Sequence, residues 1–190
     1  MTTIHIHNQA EGDRLIPAWL QIEFLPCEVL ISPMEGPINL RLYFGFFQCD
    51  ACQASCFAWD GRSRCCDGNA KPFISRVTVS GGDSPLHPDW VRSLRDQCAS
   101  VNVPFEFESW GEWAPFSPKD GSETGSGVWL PDGRFVDLYD LTDEHYASYG
   151  EFPAMFRVGR SRSGRTLDGR THDAAGVEFR EGESDVAVQK

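Results

Sequence analysis

Ile74-Ser75-Arg76-Val77-Thr78-Val79-Ser80-Gly81-Gly82-Asp83-Ser84 decides the fold class. Ile74 to Val79 alternates apolar and polar residues, the period of a half-buried strand, and stops at a glycine turn. Pro88 to Ala99 follows with helical spacing. Pro88 suits a first turn, and Trp90, Val91, Leu94 and Cys98 mark one face. Pro104 to Phe107 is the next strand. Strand, glycine turn, helix and strand make a βαβ unit, which requires parallel pairing and an α/β fold.

Upstream, Thr2 to His7 predicts a strand, and Asn8 is placed to cap a helix from about Ala10 to Gln21. Pro17 predicts a kink or an early stop in that helix. Phe24 and Leu25 open a second strand ending near Cys27 and Glu28. Residues 32–37 are a loop by their breakers, and Ile38 to Phe47 reads as extended. Downstream, Ser117 to Gly127 is a flexible loop by composition. Val128 to Leu130 and Arg134 to Val136 flank Pro131-Asp132-Gly133 as a β-hairpin, and Met155 to Val158 is a further strand. The expected organisation is one domain over 1–173, a Cys-rich insertion at about 48–70, and a loose tail over 174–190.

The chain has 190 residues, 41% of them hydrophobic, and a net charge of −11. From Glu106 to Glu151 there are eleven acidic residues against Lys119 and Arg134, so that segment alone carries −9. Such a segment is either a solvated face or a surface that competes with nucleic acid for a basic protein groove. It argues against direct nucleic-acid binding. No apolar run reaches the roughly 18 residues of a membrane span. The first nine residues lack the pattern of a secretory signal, so the expected location is the cytoplasm.

Five of the seven cysteines fall between residues 49 and 66. Without an export signal, such clustering favours metal over disulfides. Cys49-x2-Cys52 resembles half a zinc knuckle, and Cys65-Cys66, after twelve intervening residues, offers the other half. Free thiols or an iron–sulfur cluster are the alternatives. Gly81-Gly82-Asp83 could cradle an anion or a cofactor with backbone N–H groups, or could simply be a tight turn. His5 and His7 share one strand face, either as solvent-facing polar residues or as two thirds of a metal site. Trp110 and Trp113, with Asp137, Asp140, Asp143 and Glu144, suit a partner surface with an apolar centre and a charged rim. The same aromatics could be the core of a thin domain.

Ten segments stand out in order along the chain: Asn8-Gln9, Asp13 to Pro17, Cys27-Glu28, Gly36 to Leu40, Val79 to Ser84, His87 to Cys98, Val103 to Phe105, Trp110 to Trp113, Phe156 to Gly159 and Gly164 to Arg170. Together they resemble a phage-borne family of unknown function with a three-Cys motif and a likeness to radical-SAM enzymes. The resemblance implies a partial or rebuilt barrel. In it Asn8, Glu28, Gly81, Gly82, Asp83 and Trp110 would share the strand rim that faces a cofactor. By the resemblance, full-length members begin with a cluster-binding Cys motif, and this chain would be expected to start in mid-barrel. It carries Glu108-Ser109 in place of Lys-Gln, Asp83 in place of Glu, and Arg160-Ser161 in place of Lys-Lys. S-adenosylmethionine (SAM) is therefore not the expected ligand, and a non-catalytic role is expected. That role is an acidic protein from a phage or mobile element engaging a basic host protein or nucleoprotein complex, such as a nucleic-acid-guided defence complex. The alternative is one half of a split radical-SAM-like or SAM-binding enzyme.

Overall fold

A computed structural model describes residues 2–22, 26–49, 55–57, 70–119, 121–142 and 149–174. Its centre is a four-stranded parallel sheet of β1 (Thr2–Ile6), β2 (Cys27–Ile31), β6 (Ile74–Ser80) and β7 (Phe105–Ser109). The spatial order follows the chain order, as in a barrel, yet the sheet stays open. Helix α1 (Gln9–Ile22) links β1 to β2, and α3 (Pro88–Ser100) links β6 to β7. Between β2 and β6 lie a single helical turn, α2 (Arg41–Phe44), and an antiparallel insertion of β3 (Phe46–Cys49), β4 (Ser55–Phe57) and β5 (Ala70–Pro72).

Register explains the core. Ile4, Val29, Val77 and Phe105 form one row across the sheet, and Ile6, Ile31, Val79 and Phe107 form the next. These rows join Ile16 of α1 and Val91, Leu94 and Cys98 of α3 in one cluster. The opposite face carries Thr3, Glu28 and Arg76, then His5, Leu30, Thr78 and Glu106. One face is therefore apolar and helix-covered, and the other is polar.

A second, antiparallel sheet combines the short β8 (Trp113–Ala114) with the hairpin of β9 (Ser126–Trp129) and β10 (Phe135–Asp137) and with β11 (Ala154–Arg157). Its order is β10-β9-β11-β8. The chain then makes a helical turn, Arg160–Ser163, and a small hairpin of β12 (Thr166–Leu167) and β13 (Arg170–Thr171). That last hairpin runs beside β7, where the Phe107 N–H donates to the His172 carbonyl at 2.9 Å.

The expected βαβ unit and the hairpin around Pro131-Asp132-Gly133 are both present. The helix expected from about residue 10 to 21 is present as α1, which does not stop at Pro17, because burial of Ile16 and packing of Leu15, Trp19 and Leu20 offset the missing backbone bond. Two expectations change. Strand β2 lies later than expected, since Cys27, Val29 and Ile31 alternate into the core. Arg41–Phe44 is helical, not extended, and turns Tyr43 and Phe44 inward. The expected tail lies almost wholly outside the described residues.

Candidate functional site

The rim at the C-terminal ends of the parallel strands is held by close backbone packing. The Gly81 N–H donates to the Ser109 carbonyl at 2.8 Å, and the Glu112 N–H donates to the Gly82 carbonyl at 2.9 Å. A Cβ on Gly81 would lie 2.2 Å from the Trp110 carbonyl carbon and oxygen. Gly111 has φ +78°, and a Cβ there would lie 2.2 Å from the Gly82 oxygen. The two glycine segments thus pack backbone against backbone, a contact no side chain permits. Here the turn's own chain occupies the space close to Gly81.

An ion network spans this contact. Asp83 accepts from Arg160 at 2.7 Å, and Arg160 also lies 3.3 Å from Glu112. The Asp83 carbonyl accepts from the Trp113 indole at 2.9 Å. Asp83 and Arg160 are two of the departures noted in the sequence, a shorter acid and a longer base. They pair with each other in this chain. The neighbouring carboxylates hold the Arg160 guanidinium above its ordinary pKa, with Asp83 the larger cause.

Asn8 also sits at this rim, where its side chain accepts from the Glu11 N–H at 3.1 Å. Glu11 in turn accepts from the His7 N–H at 2.8 Å, a reciprocal helix cap. The His7 backbone N–H first, and then the His7 ring at 2.9 Å, hold the Glu11 carboxyl below its usual range. Asn8 donates its amide to Glu35 at 3.3 Å as well. Glu28 is not at the rim. It is the second residue of β2, on the polar sheet face, accepting from Thr78 Oγ1 at 3.0 Å and lying 3.7 Å from Arg76. Arg76 also reaches Glu106 at 3.5 Å.

Of the expected zinc ligands, Cys49 ends β3, and Cys52, Cys65 and Cys66 lie outside the described residues. Among the described residues no three His, Cys, Asp or Glu side chains gather as a metal site. Cys27 and Cys98 are buried thiols, pushed by desolvation up to about 11 and about 12. Both are inert packing groups.

On the acidic segment, Trp110 follows the core alternative. It is 1% exposed, donates its indole N–H to the Thr166 carbonyl at 2.9 Å and packs edge-on against Phe107, so it belongs to the core. Trp113 is half-buried and edge-on to Phe135. Asp137 caps the turn Leu138–Asp140 by accepting from the Tyr139 N–H at 3.0 Å. That turn projects Tyr139, which is 94% exposed, beside the exposed Asp140. Asp143 and Glu144 lie outside the described residues. Nothing in composition singled out Tyr139. Its only signal was its place between two aspartates.

Segments far apart in sequence meet as clasps. Gln97, 4% exposed, accepts from the Leu40 N–H at 2.8 Å and donates to the Ile38 carbonyl at 3.0 Å. Gln9 accepts from the Asn39 N–H at 2.6 Å. Asp168, at φ +54°, accepts from Arg92 and Arg95 at 2.7–2.9 Å. These two guanidiniums, Arg92 first, lower its carboxyl to about 2. The model of a family described as a protein of unknown function (DUF5131) matches residues 2–176. The chain belongs to this family. Nearly all of the clasped fold therefore lies within the DUF5131 match. No curated protein and no solved structure matches the chain.

Proposed function

We propose that this DUF5131 chain is a non-catalytic binding protein whose acidic face engages a basic protein groove. The observation that carries the reading is Tyr139, almost fully exposed on a turn flanked by Asp137 and Asp140. It stands within a segment holding −9 of the chain's −11 charges. An exposed aromatic side chain flanked by two carboxylates supplies an apolar centre and a charged edge of the kind found at protein–protein hot spots. Large basic grooves are features of nucleic-acid-guided complexes, so a host defence complex of that type, met by a phage or mobile-element protein, is the partner class. Among the described residues no helix is long and apolar enough to cross a membrane.

Capture from host lysate on the tagged chain, with the partner identified by mass spectrometry, is the first test. A Tyr139→Ala variant should fold normally and retain the partner poorly. Equal retention by the two chains would count against the reading.

The polar sheet face favours a second reading. Arg76 between Glu28 and Glu106, with Thr78 beside them, lies on the side of an open parallel sheet away from its helices. That is where one half of a split radical-SAM-like enzyme would meet its other half and a SAM cofactor. Reductively prepared chain should not cleave SAM by itself. Turnover that disappears in Cys49→Ala would favour the enzyme. In either reading the insertion would hold one structural Zn²⁺ on Cys49, Cys52, Cys65 and Cys66, which would fold a lobe poor in apolar residues.

A further inference from the structure

A cleft of about 410 Å³ opens between the start of α3, the β9–β10 hairpin and residues 151–153. Its walls include three aromatic rings. His87 stacks on Trp90 with centroids 5.1 Å apart and an interplanar angle of 21°. Trp129 lies 5.1 Å from His87 and 4.9 Å from Trp90, tilted against both. The hairpin turn keeps close to this cluster, since a Cβ on Gly133 would sit 4.0 Å from the Trp90 ring.

Among the described residues the charges along the cleft have one sign: Asp89 and Glu151 line it, and no described Lys or Arg does. Asp89 is paired with Arg92 at 2.7 Å. Glu151 makes no hydrogen bond or ion pair among the described residues. His87 adds no positive charge, because its Nδ1 accepts the Asp89 N–H at 3.1 Å and burial pushes its pKa down. An anion would be repelled here, and a purely apolar group would desolvate a carboxylate without replacing its partners. A cation gains from both the ring faces and Glu151. The rings pack on one another and do not surround a gap. His87 and Trp90 are partly exposed and Trp129 is buried behind them, and such a stacked aromatic wall suits a planar guanidinium better than a tetrahedral ammonium.

We propose that this cleft receives an arginine side chain of a basic protein partner, stacked on the aromatic cluster and paired with Glu151. The proposal rests on the reading of the chain as a binder of basic proteins, and supplies that reading with a pocket for one anchor residue.

The test uses the full chain and N-acetyl-arginine amide, followed by the NMR shifts of the Trp90 and Trp129 indole N–H groups. Saturable shifts are expected, with a Kd on the order of millimolar for a single side chain. N-acetyl-citrulline amide, the uncharged analogue of nearly equal shape, should give no saturable shift. N-acetyl-lysine amide should bind at least about threefold more weakly. Glu151→Gln keeps the side-chain volume on an exposed residue and should weaken arginine binding about three- to tenfold with unchanged thermal unfolding. Equal binding of the citrulline and arginine probes would overturn the proposal, as would an unchanged Kd in Glu151→Gln. The proposal can fail this way while charge-dependent association with a whole partner persists. Conversely, arginine-amide binding would survive a finding that the acidic segment plays no part in association. The two failures are therefore distinguishable.

Discussion

At the residue scale, the most constrained positions are the glycines of the rim. A methyl on Gly81 would meet backbone atoms of Trp110, and backbone cannot rotate aside as a side-chain tip can. Gly81→Ala should destabilise the protein by about 3 kcal/mol or more, or prevent folding. A methyl added to Gly36 would meet nothing within 4 Å, so Gly36→Ala should stay within about 0.5 kcal/mol of the parent. Urea denaturation of the two variants provides the comparison, and similar losses in both would contradict the packing account. The glycine turn itself was legible from Gly81-Gly82 after an alternating strand. The need for glycine there was not, because the atoms that impose it belong to Trp110 and Gly111, some thirty residues later.

At the element scale, the clasp between α3 and the last hairpin sets a pH dependence. Asp168 has an ordinary carboxyl pKa of 3.8 when unfolded and about 2 in the folded chain. A depressed carboxyl contributes stability above the unfolded value, and this is lost as pH falls from about 4 towards 2. The Asp168 side chain is 38% exposed, so solvent screening brings the contribution down to about 1 kcal/mol or less. Asn tolerates the positive φ as Asp does, so Asp168→Asn removes the charge and leaves the turn unstrained. The variant should be less stable than the parent at pH 7, and the gap should close near pH 2. A constant gap across that window would mean that the loss is not electrostatic.

The same scale shows what the chain disclosed and what it hid. The β6–α3–β7 unit and the β9–β10 hairpin were readable because their periodicity and turn residues are local. Gln97 and Asp168 were not, since their partners lie 57–59 and 73–76 residues away. Trp110 and Trp90 are the same residue type, yet one is buried in the core and the other lines a cleft. Residue type alone does not separate them. Metal analysis bears on the Cys-rich element. Protein purified without added metal should carry about one Zn²⁺ per chain, if four thiolates form one structural site. Iron would overturn the choice of metal, and a metal-free folded chain would remove the site.

At the scale of the whole molecule, a helix-covered parallel sheet supports an antiparallel sheet that presents acid and the exposed Tyr139. Long-range attraction to a basic groove should act mainly on the association rate, and added salt should screen it. Replacing Asp137 and Asp140 by Asn, with Asp143→Asn and Glu144→Gln, removes four charges and almost no volume. Asn at 137 keeps an oxygen that can accept the Tyr139 N–H, so the turn should persist. The decisive measurement is the association rate of this variant and of the parent with the captured partner, at low and at high salt. The account predicts that the variant associates several-fold more slowly at low salt, and that the two rates converge at high salt. Equal rates at low salt would contradict it, and the carboxylates would then be no more than a solvated face.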